Sequence, residues 1–387
     1  MHRSLRLTAL AAMLVTGAAC TSNDADSGGG TGGTTVQVSS TADECTLSAT
    51  TAPSGNVVFE VTNDGNEATE FYLLREDGVG IVGEVENIGP GITRNLVVTV
   101  EPGSYVSACK PGQTGDGIRG DFTVTDSGTA VSVDSSSAAQ LEQAVTRYAE
   151  YVRTEAAQLQ EQTAAFAALY TSGDDDGARD LYPDARTHWE RIEPVAESFG
   201  DLDPKLDLRE ADLEAGQAWT GWHRIEKDLW PPADGDYTAA TDAERQQLAD
   251  QLVADTAELI ERVSTLEYQP AQLGNGAKEL LDEIATGKVT GEEEIWSGTD
   301  LWDFQANIDG AHEAFESLEP VVAAKDPDLV TAIDEGFAAV QALLDGHRVG
   351  DGFVSYGELS ADEVKALADA VNALSEPLSK LTAAVVL

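Results

Sequence analysis

The sequence predicts a multidomain α and β protein in which an N-terminal β-sandwich is followed by an all-α helical bundle. Three observations predict this. Between residues 35 and 126 apolar side chains alternate in short runs broken by turn signals, and from 138 to 387 they recur with helical spacing. A Ser-rich linker at 127–137 separates the two patterns. At 387 residues, 42% hydrophobic and 24% charged, the chain has material for about two cores.

Residues 1–20 read as a targeting segment rather than as fold. His2, Arg3 and Arg6 precede an apolar run from Leu7 to Val15, and Gly17-Ala18-Ala19-Cys20 resembles a lipoprotein cleavage box, with Gly17 where such boxes usually carry Leu or Val. Cleavage there makes Cys20 the lipidated first residue of an exported chain, held at the cell envelope or periplasm by that anchor alone. Residues 21–34, rich in Gly, Ser and Asp, form a flexible tether. No later run is long enough to span a bilayer.

Within 35–126, the runs Val57–Val61, Phe71–Leu74, Asn95–Val100 and Asp121–Val124 read as strands, with Asn63-Asp64-Gly65 and Glu101-Pro102-Gly103 as turns. Cys45 and Cys109 fall here. In an exported protein a disulfide is the first expectation. A blue-copper centre needs two histidines, a thiolate and usually a methionine. No histidine lies between His2 and His188, and Met1 and Met13 leave with the targeting segment.

Beyond the linker, Leu141, Val145, Tyr148, Val152, Leu159, Phe166 and Tyr170 keep helical spacing, with Glu155 interrupting the stripe either at its edge or as part of a polar site. Thr241-Asp242-Ala243-Glu244 and Ser360-Ala361-Asp362-Glu363 are capping boxes that start further helices. Periodic segments follow around 245–267, 277–286, 300–318 and 328–344.

The bundle carries one unusual stretch, Gly221-Trp222-His223-Arg224-Ile225-Glu226. On a helix, positions 219, 223, 226 and 230 share a side, so His223 and Glu226 would sit between Trp219 and Trp230. An imidazole and a carboxylate buried among indoles need a partner. A divalent or trivalent metal ion would satisfy both, and so would a hydrogen bond between them. Two other segments offer acids at the margin of apolar faces. Glu193 precedes Pro194, which should bend its helix, and Asp300, Asp303, Asn307 and Gly310 form a polar stripe beside Leu301, Phe304 and Ile308.

The balance of 69 acidic against 23 basic residues, a formal net charge of -46, argues against nucleic acid and against an anionic membrane surface as partners. It is compatible with attraction of cations.

Gly221-x-His223-x-x-Glu226, the upstream Trp189-Glu190-Arg191-Ile192-Glu193-Pro194-Val195-Ala196, and the downstream Thr290-Gly291-Glu292-Glu293 and Asp300–Asn307 together resemble the imelysin superfamily. The match is to those members that carry a cupredoxin-like domain before an imelysin-like helical domain and serve as the extracytoplasmic component of a three-part iron uptake system. The resemblance implies a metal site at Glu193, His223, Glu226 and Asp303, a ligand set suited to iron with zinc as a competitor. It further implies a second metal site, of copper type, at Cys45, Glu70 and Cys109. Ser107 stands where the family often has methionine, which leaves disulfide and metal site as alternatives there. Gly298 stands where similar proteins often carry histidine, and His312 does not obviously replace it. An iron permease and a haem-peroxidase-like protein are the partners implied.

Three functions follow. An iron-binding protein that captures the ion and passes it to the permease should bind without consuming anything. A metallopeptidase of the cell envelope, the alternative, usually takes two histidines from one helix with a glutamate base. His223 has no second histidine within a turn, and Arg224 stands where the glutamate would be. A structural lipoprotein without metal accounts for the tether and sandwich but not for repeated acids on apolar helical faces.

Overall fold

In the computed structural model, residues 33–78, 81–113, 115, 117–128, 135–213, 216–232 and 237–386 are described. The targeting segment, Cys20 and nearly all of the tether lie outside them. The alternation in the first part of the chain becomes nine strands among the described residues. They are β1 (Thr34–Ser40), β2 (Cys45–Leu47), β3 (Thr51–Pro53), β4 (Gly55–Asn63), β5 (Thr69–Arg75), β6 (Ile81–Ile88), β7 (Thr93–Val100), β8 (Gly103–Cys109) and β9 (Ile118–Thr125). All four runs recognised from alternation fall inside strands, and the Asn63 side chain accepts from the Gly65 amide at 2.9 Å, closing the predicted turn.

The strands form two sheets, ordered β2-β1-β4-β7 and β3-β9-β8-β5-β6. In β4 every second side chain is buried. Phe59 from this strand meets Phe71 of β5 and Phe122 of β9 with ring centroids 5.1 and 5.2 Å apart, so the two sheets close face to face. Cys45 and Cys109 are joined by a disulfide across a separation of 64 residues. Glu70 accepts from Tyr72 Oη at 2.8 Å and from Gln113 Nε2 at 2.9 Å. Closing a loop of this length should contribute about 4 kcal/mol. A Cys45→Ser, Cys109→Ser variant, or the reduced protein, is expected to lower the denaturation midpoint of the β region by a corresponding amount. An unchanged midpoint would show that the bridge does not stabilise it.

The second part is helical: α1 (Ser135–Ser172), α2 (Asp175–Glu190), a 3-10 stretch (Glu193–Leu202), α3 (Asp203–Asp207), α4 (Trp222–Leu229), α5 (Asp242–Thr265), α6 (Pro270–Thr286), α7 (Asp300–Lys325), α8 (Pro327–Asp345), α9 (Ala361–Leu378) and α10 (Leu381–Val386). Both capping boxes form, at Thr241–Glu244 and Ser360–Glu363. Helix α1 begins at Ser135, inside the stretch read as linker. Its Glu155 lies at the edge of the stripe, half-buried, 2.7 Å from His188 Nδ1 and 3.6 Å from Arg191.

Two helical expectations are corrected. Pro194 does not bend a helix. Helix α2 ends at Glu190, and the proline takes the second position of the 3-10 stretch, where its missing amide costs nothing. The helix bearing His223 does not reach Trp219, which precedes its cap Gly221 and packs instead on Trp296 at 5.8 Å. The buried indoles beside the site are Trp222 and Trp189.

Helix α6 ties the two parts together. Its Asn275 side chain donates to the Val97 carbonyl of β7 at 3.0 Å, and its Asp282 pairs with Arg94 of the same strand at 3.0 Å. Among the described residues no helix is long and apolar enough to cross a membrane.

Candidate metal centre

The centre is assembled where α4 passes over the end of α3. Gly221 caps α4 with φ of +85°, and a Cβ on it would lie 2.1 Å from the Leu206 carbonyl oxygen, so only glycine lets the two segments touch. Two residues on, His223 is fully buried with acids at both ring nitrogens. Its Nε2 is 3.4 Å from Asp207 Oδ1, at the end of α3, and 3.4 Å from Glu293 Oε1. Its Nδ1 is 3.4 Å from Glu226 Oε2 and 3.7 Å from Glu294 Oε1. Two groups of potential ligands therefore share one imidazole: Asp207, His223 and Glu293 on one side, and His223, Glu226 and Glu294 on the other.

The two sides differ. On the Nδ1 side, Glu226 Oε1 accepts from the backbone amides of Trp296 and Ser297 at 3.0 and 2.8 Å, and Glu294 accepts from Tyr182 Oη at 3.0 Å and Ser297 Oγ at 2.9 Å. On the other side, Nε2 has no hydrogen-bond partner of good geometry. Asp207 and Glu293 also line a cleft of about 440 Å³ between the β region and the helices, whose walls include Tyr72, Glu84, Glu86 and Lys110 from strands and Glu193, Arg209 and Glu283 from the helical part.

Charge divides along the same line. Burial opposes ionisation of Asp207, Glu293, Glu294 and Asp303. For Asp207 it is outweighed by Arg186 and His223, and for Glu293 by Lys288, His223 and Arg186, so both carboxyls are held below their ordinary values and stay ionised. Glu294 is pushed well up by burial and by Glu226 beside it, and Asp303 by burial with Glu190 and Glu293 nearby. His223 is lowered by burial and by Arg186, but Glu226, Glu293 and Asp207 outweigh them and raise it to about 9. This value stands above the ordinary 6.5. The imidazolium therefore stabilises the fold fully below pH 6.5, and the contribution is lost as pH rises through about 9. Chelator-treated protein is expected to lose on the order of 3 kcal/mol across that window, and a His223→Gln variant to show a flatter profile in denaturant titrations at each pH.

Two buried cations complete the cluster. Lys288 lies 2.9 Å from Glu190 and 2.7 Å from Glu193. Arg186 pairs with Glu190 and Asp207, and its Nε is 2.8 Å from Glu294 Oε1 and 3.5 Å from Asp303 Oδ1. The acids Glu190, Glu193, Asp207, Glu226, Glu293, Glu294 and Asp303 outnumber these cations, an excess that protons or a bound cation must balance.

The Imelysin profile of the M75 peptidase group matches residues 144–381 of the chain. The chain belongs to the imelysin family. Its curated relatives include the iron uptake system component EfeO of Escherichia coli strain K12, of E. coli O157:H7 and of Shigella flexneri. Each is 36% identical over 353 residues, covering 89% of this chain and 90% of the relative.

Of the four residues expected in an imelysin-type metal site, the fold brings His223 and Glu226 together. Glu193 is drawn to Lys288 and also accepts from Asn307 Nδ2 at 2.6 Å. Asp303 is buried behind Arg186 with neither oxygen hydrogen-bonded. Neither falls within ligand distance of the imidazole together with a second ligand. Asp207, Glu293 and Glu294 take those places. They come from the end of a five-residue helix and from the irregular segment before α7, where no periodicity marks them. The acidic run Glu292-Glu293-Glu294, whose first two members close the Thr290–Glu293 motif of the imelysin resemblance, was the available signal. Among the described residues, each ligand group contains one histidine, His223.

Proposed function

We propose that this imelysin-family chain is the extracytoplasmic component of an iron uptake system, exported and held by a lipid on Cys20, which captures iron and delivers it to a membrane permease. The observation that carries the reading is the convergence of His223 Nε2, which has no hydrogen bond of good geometry, with ionised Asp207 and Glu293, two carboxylates that line an acidic cleft. One imidazole and two carboxylates are a hard-to-borderline donor set that suits iron, with zinc and copper as competitors. The naming of relatives 36% identical over most of the chain as iron uptake components supports it.

On this reading the cation binds at Nε2 with Asp207 and Glu293. Glu226 accepts from Nδ1 and fixes the ring, the usual pairing of a carboxylate behind a metal-bound histidine. Glu193 and Asp303 stand behind the ligands, beside Lys288 and Arg186. Residues 1–20 are the signal peptide and 21–34 its tether. Residues 35–126 form a cupredoxin-like domain, 127–137 a linker and 138–387 the imelysin-like domain. The permease and a haem-peroxidase-like protein are the partners.

Metal analysis and calorimetry with iron on the mature chain test the proposal. The His223→Ala, Glu226→Ala variant is expected to retain no stoichiometric ion, and equal binding by both proteins would overturn it. Because the ion must replace a proton on His223, affinity should also rise roughly tenfold per pH unit between pH 6 and 8. Flat affinity in calorimetry across that range would remove His223 from the ligand set.

A further inference from the structure

We propose that Arg186 is a built-in counter-cation that occupies the ligand oxygens of the His223 centre and competes with the cargo ion for them. This rests on the metal-binding reading above and adds how the site is kept from holding its cargo too tightly.

The argument lies in which atoms are shared. Arg186, fully buried on α2, donates to Asp207 Oδ1 and lies 3.5 Å from Glu293 Oε1 and, at Nε, 2.8 Å from Glu294 Oε1 without a hydrogen bond of good geometry to it. These are the same oxygens that face His223, at 3.4, 3.4 and 3.7 Å. An arginine serving only as scaffold would hold the outward oxygens and leave the inward ones free. Here Asp207 shows the contrast, because its outward Oδ2 is held instead by Trp189 Nε1 at 2.9 Å. A cation entering at Nε2 must therefore displace the guanidinium from at least two oxygens.

The fold also supplies somewhere for it to go. Asp303, 1% exposed, has no hydrogen bond at either oxygen and lies 3.5 Å from Arg186 Nε, while Glu190 already holds another guanidinium nitrogen. When the ion takes Asp207 and Glu293, the guanidinium moves onto Asp303 and keeps Glu190. The buried positive charge is never left without an acceptor. Release reverses the exchange, with Arg186 re-entering as the ion departs. Because one formal positive charge opposes the incoming one at close range, the wild-type site is weaker than its donor set alone would make it.

The test uses Zn2+ as a redox-inert probe and anaerobic Fe2+, titrated into the mature full-length chain as wild type, Arg186→Gln, Arg186→Lys and His223→Ala. Arg186→Gln is expected to bind roughly tenfold or more tightly and to yield its ion to a chelator correspondingly more slowly. Arg186→Lys, which keeps the charge but loses the fork, should fall between it and wild type. Weaker binding by both arginine variants would make Arg186 a scaffold and overturn the inference. Should the glutamine variant not fold, wild-type protein labelled with 15N-arginine decides. The Arg186 Nε–H resonance must shift when Zn2+ saturates the site, and an unmoved resonance overturns the inference. If His223→Ala binds as well as wild type, the metal-binding reading itself fails. Binding that depends on His223 but is unaltered by either arginine variant defeats only the role of Arg186.

Discussion

Asp207→Asn combined with Glu293→Gln is expected to reduce iron affinity beyond measurement, whereas Glu226→Gln should cost roughly ten- to a hundredfold. The asymmetry follows from the two faces of His223. Asp207 and Glu293 are ionised, border the cleft and lie at the ring nitrogen without a hydrogen-bond partner. Glu226 has one oxygen committed to two backbone amides and the other turned to Nδ1. A glutamine at 226 has a single acceptor oxygen. Turned to Nδ1–H, it keeps the ring oriented at reduced basicity, but its NH2 then faces the Trp296 and Ser297 amides and that contact is lost, so the expected effect is a partial loss of affinity. Amides at 207 and 293 remove both anionic donors. Calorimetry on the three proteins checks this. The reverse ranking would move the ion to the Glu226 and Glu294 face.

Gly221→Ala is expected to destabilise the helical part by several kcal/mol and to abolish metal binding with it. The added Cβ would sit 2.1 Å from the Leu206 carbonyl oxygen and 2.7 Å from that of Lys205, at a φ of +85° that alanine adopts poorly. Both opposing atoms are backbone, so relief requires separating α3 from α4, which pulls Asp207 away from His223. Gly357→Ala, with nothing within 4 Å of its added Cβ, provides the control and should leave both the melting temperature and the binding unchanged. A Gly221→Ala protein that melts and binds like wild type would show that the close approach of α3 and α4 is not what sets the site.

The β region was legible because half-buried strands leave a two-residue period. Val57, Phe59 and Val61 all point inward, and the sheet order is the part that alternation does not carry. Helix starts at Thr241 and Ser360 were legible because the capping box is local chemistry. His223 and Glu226 stood out because polar side chains on an apolar pattern need partners. Who those partners are was not legible. Asp207, Glu293 and Glu294 occupy short or irregular segments, where the chain path and not a repeat decides which way a side chain faces. Arg186 sits among Tyr182, Ala185 and Trp189 on the buried face of α2, four residues before Glu190, a pairing that a scan confined to acids and histidine passes over. Pro194 misled because proline ends a helix as readily as it bends one.

The two amides that Glu226 receives belong to the segment carrying Glu293 and Glu294. This carboxylate thus latches that segment to the helix bearing the imidazole, alongside the contacts of Tyr182 and Arg186 with Glu294 and of Arg209 with Glu292 and Glu293. Unlatching and loss of ring alignment become one event, so the rate at which the Trp296 and Ser297 amide protons exchange with solvent measures how often the vault stands ajar.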